Sequence, residues 1–342
     1  MIRLLSRCAF VCLLFQCCLL PAGADDLAPG GDPQILPANS RLEMLWNEGS
    51  FTEGVAVAPD GTICFSDIPG EEAPGKIFRF DPATGKTTVL CPDSGKSNGL
   101  MFDREGRLIA ACGANRGKQA LCEITEAGEV RVLVGRFNGK RFNSPNDLVI
   151  HPDGSIYFSD PRYVGPEPVE LDLMSVYRYV PSTGTVTRVT TDISKPNGVV
   201  LSPNARVLYV AETDNRSLGA ADPAPEGAER RMTLNAFPVR PNGTLGPKRV
   251  MVDFGQENGI DGMTVDVKGN IYAAVRSEAR HGIAVYSPAG KERAFIPTKE
   301  LPTNCCFGIG DEANRLYVTI GTGLYRIRMK NPGYHPATAD AR

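Results

Sequence analysis

Histidine is scarce in this chain. Its 342 residues hold three, His151, His281 and His335, and none shares the spacing that metal-binding pairs use. An excess of one charge is also lacking: 37 Lys and Arg stand against 39 Asp and Glu, a net charge of −2. There is no basic stripe, which argues against nucleic acid as a partner. No apolar run reaches the ~20 residues a membrane-spanning helix needs; the N-terminal run from Cys8 to Leu20 falls short. Of ten cysteines, the six beyond residue 24 follow no zinc pattern. What remains is a chain of short apolar runs and turns that outweigh any helical pattern.

The N-terminus reads as a targeting segment. Arg3 and Arg7 precede the apolar run, and Ala22-Gly23-Ala24 supplies a small-x-small cleavage site. Residues 1–24 are therefore expected to be a signal peptide, and the mature chain to be exported to a periplasm or beyond, with no membrane contact after cleavage. Gln16 before Cys17 argues against a lipoprotein. Six cysteines remain after cleavage: Cys64, Cys91, Cys112, Cys122, Cys305 and Cys306. They read as small apolar fillers inside strands, with disulfides as the alternative that export permits. Residues 25–40, rich in Pro, Gly and Asp, read as a loose linker. Residues 332–342 read as a C-terminal tail.

Between them a phrase recurs six times: a polar residue opens an apolar run, a turn follows, and a second apolar run returns. Asn146 to Asp160 and Glu53 to Asp67 are the clearest copies. The openings form a column: Glu53, Asn98, Asn146, Asn197, Asp261 and Asn304. Most intervals are roughly 45–50 residues, each long enough for four strands A to D, which is the period of a β-propeller blade. Residues 41–331 are thus expected to form an all-β, six-bladed propeller. The sixth repeat has three strands, and Arg41–Trp46 is an unassigned strand at the other end. It is expected to complete blade six and remove exposed sheet edges.

In such a ring the A strands line a central channel, and the column residues crowd one mouth. The B strands return to that face, so their B–C loops overhang it. Two carboxylates and four amides make an oxygen-rich site without thiolate or imidazole, which suits a hard cation such as Ca²⁺. Asn-Gly and Asp-Gly pairs are also ordinary turn signals, so the column has a purely structural reading as well. His151 falls in an A–B turn on the opposite face. His281 falls in the B–C loop of blade five, at the mouth or on the surface.

With Glu53-Gly54, Ser144-Pro145-Asn146-Asp147, Ser159-Asp160-Pro161, Lys195-Pro196-Asn197-Gly198, Ile260-Asp261-Gly262-Met263 and Thr303-Asn304-Cys305-Cys306-Phe307-Gly308, the chain resembles the SMP-30/gluconolactonase/LRE-like family from about Phe51 to Met329. It is closest in style to that family's exported bacterial gluconolactonases. The resemblance implies a metal-dependent hydrolase that opens sugar lactones, such as D-glucono-1,5-lactone to gluconate. It implies one divalent cation, Ca²⁺ first and Zn²⁺, Mg²⁺ or Mn²⁺ otherwise, held by Glu53, Asn146, Asn197 and Asp261. Asp261 would also be the general base. Asn98 and Asn304 would line the pocket. Asp147 would either face substrate or cap backbone amides. Asp160, Arg162, Tyr163, Glu212 and Arg276 are candidate partners for sugar hydroxyls. The implied partner is a small-molecule lactone, and nothing in the sequence demands an oligomer, so a monomer is expected.

Gly95-Lys96-Ser97-Asn98-Gly99 matches the nucleophile-elbow pattern, but a β run follows where that motif needs a helix. A hydrolase of phosphotriesters or non-sugar lactones would share the column and differ only in its pocket. A non-catalytic propeller that binds ligand or protein is the other alternative.

Overall fold

A computed structural model describes residues 28–218 and 229–336. Six antiparallel sheets form the blades of a ring, five of four strands and one of five, with a short extra ribbon at Arg136–Phe137 and Lys140–Arg141. The fold is the expected six-bladed β-propeller. Each blade runs outward from an inner strand, as in Thr52–Val57, Ile63–Asp67, Lys76–Asp81 and Lys86–Cys91 of blade one. The second strand Ile63–Asp67 is buried along its length, whereas Lys86–Cys91 alternates towards solvent. An inner strand is covered by a blade on each face, so every position must be apolar or hydrogen-bonded; an outer strand keeps a wet face.

The turns between the first two strands share one construction. In blade one the N–H of Gly61 donates to Ala58 O (2.9 Å) and Asp60 Oδ1 accepts from Thr62 N (2.9 Å). Blade three repeats it with Gly154, His151, Asp153 and Ser155. His151 therefore sits where expected, away from the column.

Glu43–Trp46 pairs with Gly323–Arg328 as the outer strand of blade six, as the incomplete sixth repeat required. Trp46 crosses the seam: its ring lies 4.7 Å from that of Phe78 and 5.2 Å from that of Phe65, both in blade one. The strand that completes the last blade is thereby packed against the first.

Two expected boundaries need correction. The described part of the supposed linker 25–40 is not loose. Gly30–Gly31 adds a fifth strand to blade five, and Ile35 and Leu36 are buried in the core shared by blades five and six. These two apolar residues sit among prolines and glycines that give no strand periodicity, so the sequence hides them. The start of the supposed tail 332–342 also docks. Tyr334 N donates to Val265 O (3.0 Å) and Gly333 N to Ala313 O (2.9 Å), so residues 332–336 fold across the channel end opposite the column. The proposed signal peptide 1–24 and residues 337–342 lie outside the described residues, as do residues 219–228 of the blade-four insertion. Among the described residues no helix is long and apolar enough to cross a membrane.

The six cysteines that follow residue 24 are free thiols and all buried. Cys305 and Cys306 face opposite sides of one inner strand, the first in the core between blades five and six, the second in the core between blades six and one. Side-chain alternation along a strand separates them.

Candidate active site

The column residues do not sit in turns. Five of the inner strands slip register near their opening, at Glu53/Val55, Ser97/Leu100, Pro196/Val199, Ile260/Met263 and Pro302/Asn304. Such β-bulges re-aim a side chain, here towards the channel mouth. The following glycine is a packing requirement. A Cβ on Gly54 would lie 1.8 Å from Asn98 O, on Gly198 2.2 Å from Asp261 O, and on Gly262 2.1 Å from Asn304 Cγ. Neighbouring inner strands come this close only because the residue between them has no side chain.

Glu53, Asn98, Asn146, Asn197 and Asp261 converge on one cavity of about 490 Å³ at the mouth. Asn304, the sixth column residue, does not line it. It lies one tier deeper with Asp147, where both line the lower channel and their side chains are hydrogen-bonded. Two blades thus depart from the glycine pattern. Asp147 and Asn304 occupy the tier that glycine fills elsewhere. Asp147 receives Val199 N at 3.0 Å and Leu148 N at 2.9 Å. That is the backbone-capping role, and it replaces the expectation that Asp147 faces substrate. Burial pushes its carboxyl up to about 7 against these bonds.

Glu53 and Asp261 are buried acids. Burial raises both carboxyls, and the charge of Asp261 raises Glu53 further. Arg276 opposes the rise in each, with Nη1 3.0 Å from Asp261 Oδ2. Asn197 bonds the Asp261 carboxylate, yet its own Oδ1 is buried without a partner. Two clustered carboxylates and an unpaired amide oxygen cost free energy unless a cation is shared among them. The donor set therefore suits a divalent, oxygen-seeking ion. With Glu53 and Asp261 as its only acids, it lacks the three-acid or His/Cys grouping that would announce a metal by itself; no such grouping occurs among the described residues.

The remaining candidates divide. Tyr163 and Arg276 line the cavity. Asp160, Arg162 and Glu212 do not, and their expected contact with substrate is corrected. Asp160 accepts Asn143 N at 2.9 Å and Ser144 N at 2.7 Å, fixing the loop that enters Asn146. Burial pushes its carboxyl up to about 7, with those N–H groups opposing. Glu212 accepts Ser194 N at 2.8 Å and so fixes the loop that enters Asn197. Arg162 is buried and donates to the carbonyls of Gly165 and Glu167 in its own loop and of Asn143 in the loop that enters Asn146. The two acids point back into the scaffold because each, at or near the end of a second strand, lies beside backbone N–H groups of the preceding loop.

Ser97 of the elbow-like pattern is fully buried among Ser66 and Ser94 hydroxyls on a strand, so it is no nucleophile. His281 lies in a groove beside the outer strand of blade five, apart from the mouth cavity. Residues not singled out in the sequence also line the cavity: Phe51, Asn115, Asn215 and Asn258. Asn115 and Asn215 sit in overhanging loops, and polar amides in those loops were the available signal.

The profile of the SMP-30/gluconolactonase/LRE-like region matches residues 51–322. A gluconolactonase of Zymomonas mobilis is 28% identical over 321 residues, covering 87% of this chain and 84% of its own. The lactonohydrolase oryL of Aspergillus oryzae is 27% identical over 319 residues, covering 86% and 71%. Among solved structures, a Xanthomonas campestris gluconolactonase superposes with a TM-score of 0.73 at 27% identity, covering 88% of this chain and 94% of its own.

Proposed function

Because the chain belongs to the SMP-30/gluconolactonase/LRE-like family, we propose that it is a lactone hydrolase acting on a sugar lactone, with D-glucono-1,5-lactone as reference substrate and gluconate as product. The observation that carries this reading is the buried acid pair Glu53 and Asp261 beside the unpartnered Asn197 Oδ1, at the floor of an amide-walled cavity. One divalent cation, Ca²⁺ before Zn²⁺, Mg²⁺ or Mn²⁺, would be held by Glu53, Asn146, Asn197 and Asp261. When bound, it supplies Lewis-acid polarisation of the lactone carbonyl.

Asp261 is the general base. Its carboxylate takes a proton from the attacking water as the water oxygen bonds the carbonyl carbon. The ring C–O bond then breaks, and the same proton passes to the departing ring oxygen, which becomes a hydroxyl. Burial keeps Asp261 more basic than a solvated aspartate, and Arg276 limits the rise. Asn98, Asn115 and Asn258 line the cavity with amides that can both donate to and accept from sugar hydroxyls. The Tyr163 and Phe51 rings offer faces for the C–H side of a sugar. The same reading makes the mature protein an exported monomer whose partner is a small molecule.

A second reading, a less hydroxylated lactone, is favoured by the apolar rim: Phe51 is 36% exposed and Val164 52% exposed. One assay addresses both. Protein starting after residue 24 is stripped of metal, and acid release from D-glucono-1,5-lactone and a lactone panel is followed with each cation added back. Cation-dependent turnover that falls by ~10²-fold or more in Asp261→Asn is expected. Absence of turnover on every lactone would remove this reading.

A further inference from the structure

Arg276 stands out among the cations near the mouth. The two lysines that precede column strands, Lys96 and Lys195, are committed to backbone or amide oxygens. Lys96 Nζ donates to the carbonyls of Pro69, Gly70 and Ala73 at 3.0, 2.8 and 2.6 Å. Lys195 Nζ donates to Asn215 Oδ1 at 2.7 Å and lies 4.7 Å from the centre of the Tyr163 ring. Arg276 alone, among the described residues, forms an ion pair with an acid of the cavity floor. Its backbone is anchored by Arg276 N to Gly259 O at 2.9 Å. Its guanidinium lies in the cavity wall, 5.8 Å from the centre of the Phe51 ring, and reaches Pro302 O at 3.4 Å.

We propose that Arg276 is an internal counter-cation of the acid pair and competes with the divalent metal ion for Asp261; this rests on the metal-site reading above. Two buried carboxylates without a cation are costly, and a guanidinium on one of them offsets part of that cost. The same guanidinium must then give up its carboxylate, or share it at close range with a dication, when the metal enters. Like charges at such distances repel. Arg276 therefore stabilises the metal-free protein and weakens metal affinity. The side chain is 22% exposed, against 11% for Asp261, so the outer partner is the one free to turn aside. This is a positioning role.

The test uses the chelator-treated protein and its Arg276→Gln and Arg276→Lys variants, with Ca²⁺ binding by calorimetry and melting temperature with and without Ca²⁺. Gln removes the charge and keeps a shorter, hydrogen-bonding side chain. The expected result is Ca²⁺ binding about tenfold tighter in Arg276→Gln, a difference of about 1.4 kcal/mol. The metal-free melting temperature should be lower in that variant and its rise on adding Ca²⁺ larger. Arg276→Lys keeps the charge and should stay near the parent. A loosened scaffold would weaken binding, so a gain in affinity separates competition from general damage. Equal or weaker Ca²⁺ binding in Arg276→Gln overturns the proposal alone. If the parent takes up no Ca²⁺ or Mn²⁺, the metal-site reading fails and this inference with it.

Discussion

The carboxylate of Asp160 receives the backbone N–H of Ser144 at 2.7 Å, two residues before Asn146 turns into the cavity. The relationship recurs around the ring. Asp67 Oδ1 accepts Ser50 N (2.7 Å) and Phe51 N (2.9 Å) before Glu53, and Glu212 accepts Ser194 N before Asn197. Three acids at or near the ends of second strands thus aim three of the four residues assigned to the cation, without lining the cavity.

Replacing Asp160 by Asn puts an NH₂ opposite one of two backbone donors. Hydrogen bonds to charged groups contribute about 1.5–3 kcal/mol each. Denaturant unfolding of Asp160→Asn should show a loss in this range, with Ca²⁺ binding weakened as well. Stability within ~0.5 kcal/mol of the parent would contradict the positioning role.

Asn197 makes the complementary case. Its Oδ1 is buried without a hydrogen-bond partner from the protein. Asn197→Ala removes this unpartnered oxygen but also the bond to Asp261, so the metal-free melting temperature should change little, and most of the Ca²⁺-dependent increase should be lost. Affinity should fall by at least the ~10–100-fold that outer partners of a metal site command. Undiminished Ca²⁺ stabilisation would remove Asn197 from the ligand set.

The glycines after the column are predicted to be intolerant. Gly198→Ala puts a Cβ 2.2 Å from Asp261 O, where backbone must shift. Strain of this kind costs about 1–3 kcal/mol or more. The melting temperature of Gly198→Ala should drop accordingly and Ca²⁺ binding weaken, because the strand that moves carries Asp261. A neutral outcome would mean that the inner strands have slack.

Stability of the metal-free protein should also depend on pH with a defined sign. Glu53 and Asp261 are raised above their ordinary values of 4.5 and 3.8 by burial. Groups raised on folding bind more protons folded than unfolded, so their contribution is present below those ordinary values and is lost as pH climbs through the raised ones. The metal-free melting temperature of Asp261→Asn, relative to the parent, should therefore improve from acid towards neutral pH. Added Ca²⁺ should reduce the parent's loss. A pH-independent difference between the two proteins would argue against the burial effect.

Ring closure can be probed at Trp46, which is half-buried against Phe65 and Phe78. Truncating a large aromatic costs about 3–5 kcal/mol when fully buried. Trp46→Ala should therefore cost towards the lower end, read by denaturant unfolding. A negligible change would mean that blade six closes without the seam.

Much of this molecule could be read along the chain. The column, the four-strand blades and the closing strand Glu43–Trp46 all follow from patterns that repeat locally. Asn304 shows where such reading ends. In sequence it aligns with Asn98 and Asn197, but its strand slips register at Pro302/Asn304, one step away from the slips that frame the other column residues. It therefore falls into the tier of Asp147. Asp160 and Glu212 were legible as acids near the mouth, while their direction depended on backbone N–H groups supplied by a preceding loop.

By itself, then, the sequence determined the number of blades, the order of their four repeated strands and the five column residues that gather at the mouth. Strand alternation and repeat period are properties of a few consecutive residues. Only the tertiary structure decided which polar side chains enter the cavity, that Arg276 reaches Asp261, and that residues 30–36 and 332–336 pack onto the ring. Those outcomes depend on bulge geometry and on contacts between residues far apart in the chain. Sequence spacing carries no record of distances across a channel.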